Sequence, residues 1–246
     1  MLITVIDTET TGIDVTKDDV VEIAGVILDS ALGEIVAGYH TLVHATNNPE
    51  EAFKVNRIPQ EALNLEYCRA PDLEPIVRMM RASDAIIAHN AGFDQPLTDR
   101  LLAAFDESPV TTPWVCSMND IMFPQEYEGS HFSRTAGNCR KLSHMASDYG
   151  ISALGAHRAM ADVMILSQLL LLVTKEGKYS LENQIKRSFK PKRLYNAVIP
   201  KPWEDDGKGN KMAKRYGFRY NPAKKLWQKA LLDEEVNEFP FDVFPD

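Results

Sequence analysis

The stretch Leu2-Ile3-Thr4-Val5-Ile6-Asp7-Thr8-Glu9-Thr10-Thr11-Gly12 governs the reading of the whole chain. Leu2 to Ile6 is short, apolar and rich in β-branched side chains, the pattern of a buried strand ending at Asp7. Asp7 and Glu9 lie two apart, so extended backbone sends both carboxylates to one side, and Thr10-Thr11-Gly12 supplies a tight exit. Two more strands follow, Val20 to Leu28 and Glu34 to Val43. The link between them, Asp29-Ser30-Ala31-Leu32-Gly33, has hairpin size and contains a glycine. An antiparallel opening meander is predicted.

Downstream the pattern changes to alternating helices and strands. Helices are expected at Pro49 to Phe53 and Leu73 to Met80, then a short buried strand at Ala85 to Ala88 that runs into His89-Asn90. A helix starts near Gly92, with apolar Phe93, Leu97, Leu101, Leu102 and Phe105 on one face, and Pro96 is tolerated because it falls in the first turn. Asp94 therefore sits at a strand-to-helix junction. Trp114-Val115-Cys116 reads as a fifth strand, followed by a short helix, a polar loop from Glu126 to Asn138 and a helix from Lys141 to Tyr149. A last long helix spans about Ala159 to Val173, with Asp162 in its first turn and His157 in the turn before it. Within it, Gln168-Leu169-Leu170-Leu171-Leu172 continues the helical period and reads as core rather than as an exposed docking peptide. The expected fold is α/β, a mixed five-stranded sheet flanked by helices.

The chain has 246 residues, 44% hydrophobic and 25% charged, enough for one large core and a small appendage, which excludes disorder throughout. No run approaches the roughly 20 apolar residues of a membrane helix, and Met1 to Ile6 meets an acid without a basic flank or cleavage site, so a cytoplasmic protein with no membrane partner is expected. Cys68, Cys116 and Cys139 lack the paired short spacings of a zinc site and read as reduced packing residues. The net charge of −8 conceals −13 over residues 1–174, +11 over 175–230 and −6 over 231–246. An acidic body with clustered carboxylates suits bound cations, and a basic module suits polyanions. The composition break near Lys175-Glu176-Gly177 places the boundary at residues 1–176 and 177–246.

Taken singly, each polar residue has an ordinary explanation. An acidic pair at a strand end is often mere solvated charge, Asp162 is a first-turn acid favoured by the helix dipole, and His157 can make a local hydrogen bond. Their joint placement at element ends is what those explanations omit. The set suits phosphodiester hydrolysis by two metal ions about 3.5 to 4 Å apart. Hard Mg²⁺ prefers a few carboxylates and waters, Mn²⁺ substitutes for it, and a nearby imidazole accepts a proton near neutral pH.

Ile6-Asp7-Thr8-Glu9-Thr10-Thr11-Gly12, Ala88-His89-Asn90-Ala91-Gly92-Phe93-Asp94 and His157-Arg158-Ala159-Met160-Ala161-Asp162 resemble, in order and context, the three motifs of the DEDDh 3′-to-5′ exonucleases. That family lies in the RNase H-like superfamily and includes polymerase proofreading subunits, exonuclease X and RNase T. The resemblance covers residues 1 to about 174. It implies that Asp7, Glu9, Asp94 and Asp162 bind two Mg²⁺ ions and that His157 is the general base. It also implies that Thr10, Thr11 and Gly12 meet the terminal nucleotide, while Asn90 has two open readings, orienting Asp94 or a phosphate on the one hand and capping a helix on the other. Val55-Asn56-Arg57-Ile58 stands where many relatives have His-Gly-Ile near the terminal base, which makes Ile58 a substrate-contact candidate in an altered setting. Trp114 to Met118 looks more like exonuclease X relatives than proofreading subunits.

In the basic module, residues 211–229 interleave cations and aromatics around Asn221-Pro222, which suits a small β-hairpin. Lys214, Arg215 and Arg219 are candidates for phosphate contact, and Tyr220 and Trp227 for stacking on unpaired bases. The competing reading makes the aromatics the module's core and the cations its solvated rim. The acidic tail, Asp233 to Asp246, either folds back on this surface or binds a partner. The expected activity is a metal-dependent 3′-to-5′ exonuclease acting on single-stranded or frayed DNA 3′ ends, as monomer or homodimer, with a polymerase or another replication or repair protein as partner. An exoribonuclease and a catalytically silent nucleic-acid-binding protein are the alternatives.

Overall fold

The computed structural model describes residues 1–124, 141–198, 213 and 216–246. The expected loop at Glu126 to Asn138, together with Cys139, Lys214 and Arg215, lies outside the described residues. Strand β1 (Leu2–Thr10) continues past Asp7, where the apolar run had suggested its end, because β2 (Val20–Asp29) pairs with it from Leu2 opposite Asp29 to Thr10 opposite Val20. Ladder hydrogen bonds outweigh the polarity of the side chains, which only have to face the right way. β3 (Glu34–Leu42) pairs antiparallel with β2 and completes the meander.

β4 (Ala85–Ala88) and β5 (Trp114–Cys116) add in parallel on the other side of β1, giving the order β3-β2-β1-β4-β5. All four residues of β4 are fully buried, as a central parallel strand with both faces covered requires. Helix α1 (Glu50–Asn56) and the single turns α2 (Gln60–Leu63) and α3 (Glu66–Arg69) fill the link to α4 (Glu74–Ala82), and α5 (Ala91–Ala104) follows β4. Then come α6 (Leu142–Asp148), α7 (Ala159–Leu171) and α8 (Leu181–Ser188).

Strand alternation sorts the core into two layers. Ile3 and Val5 of β1 pack with α6, α7 and α8, whereas Ile6 packs with α4 and α5. By the same parity Asp7 and Glu9 project toward α7, and Thr8 projects toward α5. No helix among the described residues is long and apolar enough to cross a membrane.

The chain divides into two compact units, and the first comprises Met1–Phe123 and Lys141–Ser188. The boundary expected at Glu176 moves to Ser188, because α8 buries Leu181 and Ile185 in the cluster that holds α7. The second unit holds a four-stranded antiparallel sheet, ordered β7 (Arg219–Asn221), β8 (Leu226–Leu231), β6 (Arg193–Ala197) and β9 (Val243–Pro245). The expected hairpin is β7-β8, and its turn is held by Asn221 Oδ1, which accepts the backbone N–H groups of Ala223 (3.0 Å) and Lys224 (3.2 Å). Phe218 is core, meeting Phe239 at 5.2 Å and Phe241 at 5.4 Å between ring centroids. The acidic tail thus folds back: β9 pairs with β6, Tyr195 Oη donates to Asp233 (2.7 Å), and Lys224 binds Asp246 (2.6 Å). Phe239 and Phe241 of the tail pack against the same core as Tyr195, Phe218 and Leu231.

Candidate active site

β1, the start of α5 and the start of α7 bring the four expected carboxylates to one end of the sheet. Asp7, Glu9 and Asp162 each offer an oxygen, all within 4.8 Å of one another. Asp94, 2% exposed in the first turn of α5, is held from the sheet side: Thr8 donates to its Oδ1 through Oγ1 (2.8 Å) and backbone N–H (3.1 Å). Thr8 thereby gains a role that its place between two acids did not disclose. Asp162 Oδ2 accepts the His157 backbone N–H (3.2 Å), so base candidate and ligand candidate share one turn.

Crowding carboxylates in a desolvated place disfavours their ionisation. Burial raises Asp7 well above the usual carboxylate range, and Asp94, Asp162, Glu9 and Glu22 push it further. Glu9 is raised to about 8 by burial, Asp162 and Glu22, against the opposing charge of Arg158. Asp94 is raised to about 7 by burial, which outweighs the two Thr8 bonds. Asp162 is also raised by burial, opposed by the bond from His157 and by that residue's charge. An all-oxygen donor set with surplus negative charge and no thiolate fits hard divalent cations such as Mg²⁺ or Mn²⁺.

Backbone geometry explains several of the flanking residues. Asn90 is left-handed (φ 85°) and makes no side-chain cap, which removes the capping role; asparagine suits a position that few other non-glycine residues accept. His157 is left-handed as well (φ 69°), with an exposed side chain. At Gly12 a Cβ would collide with the Asp18 carboxylate, which accepts from Thr11 Oγ1 (3.2 Å) and from the Asp14 N–H (2.8 Å). A larger residue at this position would push the Asp18 carboxylate out of those bonds. Thr10 Oγ1 likewise donates to the Gly12 carbonyl (2.6 Å). Ile13, next in the chain, is 91% exposed, as is Leu154 ahead of His157.

Ile58 is corrected. It is 1% exposed, packed with Val21, Ala45 and Leu63, and therefore withdrawn from any ligand. Its neighbour Asn56, missed in the sequence, is the polar link from that segment: its amide donates to the Thr10 carbonyl (3.3 Å) and accepts from the Ile58 N–H (3.0 Å). Also missed were Glu22 and Arg158. Glu22, opposite Glu9 in the β1-β2 ladder and 1% exposed, accepts two bonds from Arg158. In the second unit Arg219 is exposed, Tyr220 is 50% exposed, and Tyr220 rests on half-buried Trp227 at 5.4 Å.

DNA polymerase III subunit epsilon of Treponema pallidum is 28% identical over 171 residues, covering 68% of this chain and 73% of that protein. DNA polymerase III PolC-type of Thermotoga maritima is 27% identical over 173 residues, of which this chain spans only 11% of the longer protein. Among solved structures, E. coli Exonuclease I in complex with a dT13 oligonucleotide shares the fold, with a TM-score of 0.61 and 18% identity over 85% of this chain and 50% of that one. The family model RNase_T, described as exonuclease, matches residues 4–170, the body that carries every one of the five motif residues, and the chain belongs to that exonuclease family.

Proposed function

We propose that the chain removes nucleotides one at a time from the 3′ end of single-stranded or frayed DNA, releasing nucleoside monophosphates. The observation that carries this reading is the convergence of Asp7, Glu9 and Asp162 within 4.8 Å, beside a buried Asp94. DNA is favoured over RNA by the relationship to a DNA polymerase III epsilon subunit, which also makes a polymerase or repair protein the fitting partner and the cytoplasm the fitting compartment.

Asp7, Glu9, Asp94 and Asp162 would hold two Mg²⁺ ions, with Mn²⁺ as substitute. When bound, such ions supply Lewis acidity toward the scissile phosphate and ease deprotonation of water. Thr8 fixes the Asp94 carboxylate, so that ligand does not have to be ordered at each turnover. His157 takes the proton of the attacking water on an imidazole nitrogen. The water oxygen bonds to phosphorus as the bond from phosphorus to the preceding nucleotide's O3′ breaks, O3′ takes a proton from solvent, and the terminal nucleotide leaves with the phosphate. Thr10, Thr11 and Gly12 shape the turn against which the terminal sugar lies, and Asn90 faces the phosphate. Arg219 and Tyr220, with Trp227 behind, offer charge and a stacking surface to an unpaired strand; Lys214 and Arg215 belong to the same proposal.

The test uses 3′-labelled and 5′-labelled single strands of DNA and RNA with Mg²⁺, Mn²⁺ or EDTA. Metal-dependent laddering from the 3′ end, faster on DNA, is expected; RNA-preferred laddering would replace the substrate class, and no cleavage by any metal would sink the reading. His157→Ala should lower turnover by about 10²- to 10⁴-fold at saturating metal. Wild-type turnover in that variant would place the base elsewhere.

A separate expectation concerns the module. Arg219→Ala should weaken strand binding equally across sequences and lower the salt slope of log K by about 1, while Tyr220→Ala should cost about 1–3 kcal/mol without changing that slope. Unchanged binding by both variants in filter titrations from low to high salt would make these side chains structural.

A further inference from the structure

Glu22 is a buried carboxylate to which the proposed chemistry assigns no task. It faces the site, since its partner across the β1-β2 ladder is Glu9. A carboxylate inside an apolar strand, 1% exposed and acting on Asp7, Glu9 and Asp162, is costly to keep ionised unless donors hold it. The donors come from the His157–Asp162 turn. Arg158 gives Nε–H to Oε2 (3.0 Å) and Nη2–H to Oε1 (2.8 Å), and the Ala159 backbone N–H, at the first position of α7, also reaches Oε2 (3.0 Å). His40 Nε2 on β3 stands 3.6 Å from Oε1.

On the reading proposed above, we infer that Glu22 and Arg158 are a positioning pair: a clamp from the sheet that fixes the backbone between His157 and Asp162, and with it both functional side chains. Three observations support it. The bidentate fork and the main-chain bond engage both Glu22 oxygens, which leaves the three clustered oxygens of Asp7, Glu9 and Asp162 as the ligand set and Glu22 as its support. The turn being held is a strained one, with His157 at φ 69°, and such backbone persists where its surroundings dictate it. The Arg158 charge also favours the ionised form of Glu9, so the clamp serves both edges of the cluster.

The test compares wild type, Glu22→Gln, Arg158→Lys, the uncharged pair Glu22→Gln/Arg158→Gln and Asp7→Ala. Three readouts are used: amide hydrogen exchange of residues 157–163 in metal-free protein, Mn²⁺ affinity by calorimetry, and kcat and KM on a 3′-labelled DNA strand. Glu22→Gln and the double variant should lower kcat by about 10- to 100-fold, weaken Mn²⁺ by a similar factor and speed exchange in residues 157–163, with KM within about twofold. Arg158→Lys keeps the charge without the fork and should recover part of each loss. The double variant removes both charges together, which protects the fold from an orphaned buried ion.

Wild-type exchange and kcat in Glu22→Gln would overturn the clamp, as would faster exchange across the whole body. Loss of Mn²⁺ sites with unchanged local exchange would make Glu22 a ligand instead. Should wild type itself degrade no strand, the proposed function fails, whereas exchange and Mn²⁺ affinity still decide the clamp.

Discussion

Asp7→Asn is expected to lower turnover about a thousandfold or more and, in the same protein, to raise the melting temperature measured in EDTA. The loss follows from its position. Asp7 is the carboxylate that Asp94, Asp162, Glu9 and Glu22 all act upon, so it stands at the centre of the group that would hold the ions. An amide oxygen carries no charge, and several kcal/mol of transition-state stabilisation is lost with it, at about 1.4 kcal/mol per tenfold in rate. The gain has the same source. Without a cation, five acids share one desolvated end of the sheet, and an isosteric neutral group relieves that repulsion. Relief of about 1–2 kcal/mol corresponds to roughly 2–8 °C for a body of this size. Steady-state turnover at saturating Mg²⁺ and calorimetry in EDTA measure the two halves. A variant that is inactive and less stable in EDTA would mean that Asp7 is held by favourable bonds, contrary to the crowding described here. Such opposed effects on activity and stability are the ordinary signature of a site kept charged for function.

What the sequence disclosed of this site, and what it withheld, divides along physical lines. Period-two alternation puts Asp7 and Glu9 on one side of β1, and helical starts put Asp94 and Asp162 at element ends; both are local rules, and the structure follows them. β1 runs on to Thr10, past the apolar stretch, because pairing with β2 and not side-chain polarity sets its end. Glu22 carried a readable signal, a charge inside the apolar run Val20-Val21-Glu22-Ile23-Ala24, but its partner Arg158 lies 136 positions away and no spacing rule connects them. Thr8 is similar: its hydroxyl finds Asp94 only because β4 runs parallel to β1. Ile58 erred in the other direction, since the motif resemblance suggested contact where an isoleucine of that segment simply fills the core. In the second unit the Asn221-Pro222 turn announced a hairpin, yet the return of Phe239 and Phe241 came from a tail with too few apolar residues to show a period. Long-range partners, more than local conformations, are what a single sequence conceals.

The metal-free protein should lose stability as pH rises from about 5 to 8.5, and divalent cations should return it. The sign follows from the carboxylates. An acid whose folded-state pKa lies above its unfolded value of about 4 binds protons more tightly when folded, so stability falls with pH between the two values. Glu9 at about 8 and Asp94 at about 7 set the upper part of that window, and Asp7 and Asp162 are raised in the same direction. Their contribution is fully present below about pH 4 and is lost as pH climbs through 7 and 8, the reverse of a salt-bridged acid. Cations bind the ionised cluster, so Mg²⁺ or Mn²⁺ should add little to the melting temperature at pH 5 and about 5–10 °C at pH 8 when well above its Kd, equivalent to a few kcal/mol of linkage. Titrations elsewhere in the chain are cancelled by subtracting the Asp7→Asn curve, which should be flatter in EDTA and respond less to metal. Melting temperatures that climb with pH in EDTA, or a metal effect equal at pH 5 and pH 8, would contradict the raised carboxylates and with them the assignment of this cluster to cations. The same coupling bears on catalysis. Glu9 and Asp94 ionise over the same range, so cation binding, and turnover with it, should rise as pH climbs through 7 and 8.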